Sequence, residues 1–160
     1  EATPILPATS TVSKHISPTA ITCIDTRPPS NKEEEKSLFQ TVQENDHIYG
    51  NIGAFVTIVV YMDYQCVSCA ALNNTLHEIV NTYPEDVRVI FRHFPLIIIH
   101  DKAALAAQAV ESAAMQNKFQ EMSDLLFYKQ DQWARFTETE FEQWLVTQVD
   151  ALGMDRTRFR

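Results

Sequence analysis

The pattern of apolar and polar residues predicts a strand, a helix and a second strand in the middle of the chain. Residues 55–62 are nearly all apolar and rich in β-branched side chains. This is typical of a strand that is buried on both faces in the centre of a parallel sheet. Residues 66–83 change to the helical period, and residues 87–91 are again apolar and β-branched. We therefore expect a right-handed βαβ unit. The predicted inward face of its helix consists of Leu72, Leu76, Ile79, Val80 and Tyr83.

The remainder of the chain is predicted to be helical. Residues 101–116 are rich in alanine, and residues 119–129 and 137–152 also place apolar side chains at helical spacing. These segments predict an all-helical insertion at about 100–153. The residues expected to begin or end its helices are Asp101 as an N-cap, Thr137 with Glu140 as a capping box, and Gly153 at a C-terminus.

The first 30 residues differ in composition from the rest. They hold five of the seven prolines, among serine and threonine and without an apolar period. Residues 1–30 are therefore interpreted as an extended tether or arm, which could separate a membrane anchor from the domain. The domain itself is expected over residues 31–160, and it begins with a weakly helical polar segment at Ser30.

Length and charge exclude several classes of function. The 160 residues suffice for one domain, and the formal net charge is −8. Because no basic stripe is present, a surface for nucleic acid or for anionic lipid is not expected. The longest apolar runs have about eight residues, whereas a helix needs about 20 to span a bilayer.

The chemistry is predicted at the junction between the first strand and its helix. Cys66, Val67, Ser68 and Cys69 form a Cys-x-x-Cys motif that opens this helix. The free N–H groups and the dipole of a helix N-terminus stabilise a thiolate there. Two cysteines three residues apart can also close into a disulfide. We expect dithiol–disulfide exchange in which Cys66 is the exposed nucleophile and Cys69 resolves the mixed disulfide.

Two other interpretations of the motif remain open. A zinc site would need two further ligands at metal spacing, and the sequence shows none, so no metal site is predicted. The two cysteines could instead be a buried structural pair. Cys23 lies far upstream in the predicted tether and is an unassigned thiol.

Four neighbouring residues are candidates for a place near the motif: Asp63, Tyr64, Gln65 and His93. Asp63 is a like charge beside the Cys66 thiolate and would oppose its formation. Tyr64 could flank a surface that binds substrate. A packing role is the alternative for His93.

Residues from about Gly50 to Phe159 resemble the DsbA-like thioredoxin-fold oxidoreductases, an extracytoplasmic bacterial family. The resemblance is carried by Asp63–Cys66, Cys69, the alanine-rich segment 103–114 and, most specifically, by Phe91-Arg92-His93-Phe94-Pro95-Leu96. It implies a thioredoxin-like fold with a helical insertion. It also implies that the cysteine pair oxidises reduced secreted proteins, that a membrane quinone-linked oxidase restores the disulfide, and that no cofactor is bound. A reductase or isomerase using the same centre, and a non-enzymatic binding module with a structural disulfide, are the alternatives.

The chain departs from the family pattern in two respects near the motif. Val60 occupies the position where members commonly carry a buried glutamate that assists proton transfer. Val67 and Ser68 stand between the cysteines, where the family's strongest oxidants carry residues that stabilise the thiolate. We therefore expect this chain to be a milder oxidant.

The family also has a C-terminal hairpin, entered through a cis-proline, and a last helix. No proline follows Pro95, and only seven residues follow Gly153. The hairpin and last helix are therefore expected to be missing from this chain. We expect the apolar strand 55–62 to be covered by a segment absent from the chain or by a second copy in a homodimer.

Overall fold

The computed structural model describes residues 42–159. The predicted tether at residues 1–30, with Cys23, lies outside the described residues. So does most of the weakly helical segment predicted from Ser30 to about Asn45, and its described residues 42–45 are not helical. None of the helices in the described part of the chain is long and apolar enough to span a membrane.

Three strands and five helices make up the described region, and they confirm an α/β thioredoxin-like fold with a helical insertion. In chain order they are β1 (His47–Gly50), β2 (Val56–Met62), α1 (Val67–Thr82), β3 (Val87–His93), α2 (Ala103–Ala114), α3 (Phe119–Tyr128), α4 (Gln130–Trp133) and α5 (Glu138–Ala151).

The predicted βαβ unit is confirmed, but the strand at the centre of the sheet is not the expected one. β2 and β3 are parallel, with Val56 opposite Val87 and Met62 opposite His93. β1, which the sequence pattern did not predict, pairs antiparallel with the other side of β3. The order β1-β3-β2 makes β3 central and leaves β2 at an edge of the described sheet.

The prediction that residues 55–62 form a central strand buried on both faces is therefore wrong for the described residues. Phe55 is 93% exposed, and Val56 and Tyr61 are each half exposed. An apolar run indicates that a strand is suited to burial, but it does not identify the neighbours that bury it. Coverage of the outer edge of β2 by another segment or a second copy stays a prediction.

The core lies between one face of the sheet and the helices. Val87, Val89 and Phe91 alternate along β3 and point into it, as do Val60 and Met62 of β2. Helix α1 contributes Leu76 and Val80, which matches the predicted face in its middle. Its ends differ from the prediction, because Leu72 and Tyr83 are exposed.

The helix caps agree with the sequence in α5 and differ in α2. Thr137 and Glu140 form the expected capping box, and Gly153 follows α5 with a φ of +68°. Asp101 does not cap α2, because the N-cap position is Lys102 and no side chain caps it. The Asp101 carboxylate instead accepts hydrogen bonds from Lys102 Nζ at 2.7 Å and from Gln65 at 2.7 Å.

We expect Gly50→Ala to destabilise the fold. Gly50 ends β1 with a φ of +101°, and a Cβ there would lie 2.8 Å from the carbonyl oxygen of Val87. The backbone strain alone should lower the free energy of unfolding by roughly 1–3 kcal/mol, measured by urea denaturation. Gly53→Ala is the matched control, because its Cβ would meet nothing closer than 3.4 Å. If the two substitutions lowered the free energy of unfolding equally, the positive φ and close packing at Gly50 would not be what requires glycine there.

Candidate functional site

The motif lies where the sequence placed it, between the carboxyl end of β2 and the first turn of α1. Cys66 is the N-cap residue of α1, with φ −80° and ψ 120°, and no side chain caps the helix there. The Cys66 N–H donates to the carbonyl of Asp63 at 3.1 Å, and the Cys66 carbonyl accepts from the N–H of Ala70 at 3.1 Å. Cys66 thus occupies the end of the helix at which the first N–H groups have no partner within the helix and the helix dipole is positive.

Cys69 lies one turn further into α1, and both thiols are free and half-buried. Burial raises the pKa of the Cys69 thiol, whereas the backbone of Asp63 lowers it. A hydrogen bond to Cys66 and the negative charges of Cys66 and Asp63 raise this pKa further, and the net shift is upward. The Cys69 thiol therefore stays protonated to a higher pH than an ordinary thiol, and its S–H group can donate a hydrogen bond to the Cys66 sulfur.

The two residues between the cysteines are exposed. Val67 is 76% exposed, and Ser68 is also on the surface. Because no buried side chain stands between the two cysteines, a protein thiol can approach the motif from the solvent side.

Asp63 is the most constrained polar residue near the motif. Its side chain is almost completely buried, and its Oδ1 accepts from the N–H of Gln65 at 2.7 Å. Its Oδ2 accepts from the N–H of Leu96 at 2.8 Å and from His100 Nδ1 at 2.8 Å. Asp63 thus joins the loop that leads into the motif to the loop after β3. Its charge raises the pKa of the Cys69 thiol. The effect of Asp63 on Cys66 that the sequence suggested stays a prediction.

Gln65 links the motif loop to the start of α2. Its Nε2 donates to Asp101 Oδ1 at 2.7 Å, and its Oε1 accepts from the N–H of Lys102 at 2.9 Å. The Lys102 ammonium group is buried and is compensated by the Asp101 carboxylate. Gln65 therefore connects the loop before the cysteine motif to the loop before α2.

Tyr64 does not flank a surface, as the sequence allowed, because it is only 1% exposed. Its ring packs against Phe127, with centroids 4.8 Å apart, and burial raises the pKa of its phenol.

Gln130 in α4 fixes the backbone that leads into the motif, since its Nε2 donates to the carbonyls of Tyr64 at 2.7 Å and Cys66 at 3.0 Å. Sequence analysis missed Gln130, because a glutamine 64 residues from the motif carries no local signal.

His93 has the packing role that was the alternative interpretation, together with a polar contact that the sequence did not predict. It ends β3, and its Nε2 bonds Glu111 Oε1 at 2.7 Å. Burial lowers the pKa of His93 and outweighs the opposing effect of Glu111. His47 in β1 also bonds Glu111 Oε1, at 2.8 Å. These two histidines and Glu111 are the one group of possible metal ligands that the described residues bring together.

Val60 is buried in β2 opposite Phe91, within the apolar core. The position at which the resemblance to the DsbA-like family implies a buried glutamate is thus apolar here. Asp63, three residues later, is the carboxylate whose charge acts on Cys69.

Comparison with known proteins agrees with this geometry. A family model described as thioredoxin matches residues 42–159. Among solved structures, alpha-DsbA1 of Wolbachia pipientis matches with a TM-score of 0.60 and 20% identity, over 74% of this chain and 59% of that one. A thioredoxin-like oxidoreductase of Silicibacter pomeroyi matches with a TM-score of 0.59 and 22% identity, over 73% and 62%.

A curated relative shows higher identity over a part of its length. The protein named Na(+)/H(+) antiporter NhaA 3 of Salinispora tropica is 36% identical over 117 residues. The match covers 73% of this chain and 17% of that relative. The family match over residues 42–159, together with the fold, shows that the chain belongs to the thioredoxin family and has a DsbA-like thioredoxin fold.

Proposed function

We propose that the chain catalyses thiol–disulfide exchange between its Cys66–Cys69 pair and protein thiols, with net oxidation of the substrate. The observation that carries the proposal is the asymmetry of the two cysteines. Cys66 lies at the N-terminus of α1, whereas the Cys69 thiol lies one turn inward with a raised pKa. One cysteine is thus placed to be attacked, and the other is placed to hold a proton.

In the proposed reaction, a substrate thiolate attacks Cys66 Sγ of the oxidised protein. The Cys66–Cys69 bond breaks, its electron pair passes to the Cys69 sulfur, and this sulfur takes up a proton. A second substrate thiolate then attacks the substrate sulfur of the mixed disulfide and releases the Cys66 thiolate. Two substrate thiols become one disulfide, and the disulfide of the protein becomes a dithiol.

The proposed substrates are reduced secreted proteins, and the proposed location is outside the cytoplasm. A membrane quinone-linked oxidase is the proposed partner that restores the disulfide. The resemblance to the DsbA-like family supports these assignments. The similarity to a segment of a protein named as a Na(+)/H(+) antiporter supports a location of this chain close to a membrane.

The test compares full-length variants in a background with Cys23→Ser. The oxidised protein is mixed with reduced, unfolded ribonuclease, and recovery of ribonuclease activity is measured. We expect Cys66→Ser to reduce the rate to that of buffer alone. Thr75→Ser, on the exposed side of α1, is the control and should keep the parental rate.

Two results would contradict the proposal. No acceleration by the oxidised parent protein would show that Cys66 and Cys69 form a structural disulfide in a binding module. Faster reduction of insulin than oxidation of ribonuclease, by the same centre, would show that the reductase alternative is correct.

A further inference from the structure

A cluster of possible metal ligands lies between the sheet and α2, outside the Cys66–Cys69 motif. His47 of β1, His93 of β3 and Glu111 of α2 each offer one ligand atom, and these atoms all lie within 4.8 Å of one another. The Nε2 atoms of both histidines contact the same carboxylate oxygen, Glu111 Oε1, at 2.8 and 2.7 Å. Two imidazole nitrogens therefore converge on one point beside one carboxylate.

The register of the sheet produces this convergence. His47 is directly opposite Phe91 in the antiparallel pair, and directly opposed residues share a face of the sheet. His93 is two residues beyond Phe91, so it lies on the same face. The ring of His47 stacks on Phe119, with centroids 3.7 Å apart and planes 14° apart, and this contact restricts its rotation.

The donor set suits zinc. Zinc is bound by imidazole nitrogen and carboxylate oxygen at about 2.0–2.2 Å, and three protein ligands with one open position are common at reactive sites. Ligand atoms around such an ion lie roughly 3.3 Å apart in tetrahedral geometry. The present separations of 2.7 and 2.8 Å between nitrogen and oxygen would need to widen by less than about 1 Å, and the two histidine nitrogens, at most 4.8 Å apart, would need to lie at about the same spacing.

The cluster also borders a cavity. His93 and Glu111 line an open cavity of about 880 Å³, whose walls are mainly apolar and include Leu105, Leu145, Val149 and Phe159. An ion held by the cluster would therefore have a position open to a water molecule or to a small ligand in this cavity.

We propose that His47, His93 and Glu111 form a zinc site, with its fourth position facing the cavity between the sheet, α2 and α5. The site joins β1, β3 and α2, and it is separate from the cysteine pair. It does not depend on the proposed exchange activity. The competing explanation is a hydrogen-bonded triad that binds no metal.

The test uses the full chain with all three cysteines replaced by serine, so that thiols cannot bind the metal. Zn²⁺ is titrated in competition with a chromophoric chelator, and Co²⁺ serves as a spectroscopic probe. We expect one equivalent to bind. Loss of a group that merely supports a ligand costs about 10- to 100-fold in metal affinity, so Glu111→Gln and His47→Gln should each weaken binding by at least about 100-fold.

His77→Gln is the matched control, because His77 is also half-buried and its Nε2 also bonds a carboxylate, Asp124 Oδ1, at 2.8 Å. It should leave the affinity unchanged within about twofold, as expected for a side chain that is not a ligand. In the chain with native histidines, nitrogen NMR of the rings should show shifts of His47 and His93 on addition of Zn²⁺. This measurement needs no histidine substitution, so its outcome does not depend on whether a histidine variant folds.

Three results would overturn the proposal. The first is no stoichiometric binding of Zn²⁺ to the cysteine-free chain. The second is an equal loss of affinity in His77→Gln and His47→Gln. The third is a ring shift confined to His77 or His100.

Discussion

Asp63→Ala is expected to lower the free energy of unfolding by about 3–5 kcal/mol, because it removes a buried carboxylate and leaves its donors without an acceptor. Those donors are the N–H groups of Gln65 and Leu96 and the ring of His100. The loop before the motif and the loop after β3 would lose their common anchor. Urea denaturation, followed by circular dichroism, measures the effect.

Asp131→Ala provides the matched control, since Asp131 is exposed in the first turn of α4. We expect it to change the free energy of unfolding by no more than about 0.5 kcal/mol. Asp63→Asn keeps one oxygen acceptor and should lie between the two. If Asp63→Ala were as stable as Asp131→Ala, the hydrogen bonds of Asp63 would not be what holds the two loops together.

The second large effect concerns the reactivity of the two thiols. In the reduced protein at pH 7, iodoacetamide should modify Cys66 faster than Cys69, because the raised pKa of Cys69 lowers the fraction of this thiol that is present as the reactive thiolate. The shift is upward, so the reactivity of Cys69 should increase with pH beyond the range where an ordinary thiol has levelled off. Mass spectrometry of the two modified peptides over a range of pH measures both rates.

Cys66→Ala separates the causes of the upward shift in the pKa of Cys69. It removes the hydrogen bond and the charge contributed by Cys66, while burial and the charge of Asp63 remain. The pH profile of Cys69 should therefore move toward lower pH and still remain above that of a free thiol. Faster modification of Cys69 than of Cys66 in the unsubstituted protein would show that their roles are exchanged.

The location of the reactive pair followed from local patterns. An apolar β-branched run, a Cys-x-x-Cys motif and a helical period are properties of about 30 consecutive residues, and all three appear in the structure as β2, Cys66–Cys69 and α1. The capping box at Thr137 and Glu140 is equally local. Such features are set by backbone preferences and by side chains within one or two turns.

The sequence alone thus determined the βαβ unit, the helical insertion and the placement of the two cysteines. Only the tertiary structure decided which strand is central, because strand order depends on pairing between distant segments. The tertiary structure also decided three sets of contacts near the motif and on the sheet. These are the hydrogen bonds of Asp63, the hydrogen bonds from Gln130 to the motif backbone, and the contacts of His47 and His93 with Glu111. Apart from the bond between Asp63 and Gln65, these contacts join residues 18 to 66 positions apart in the chain, and the residues meet only after the sheet register and the helix packing have been set.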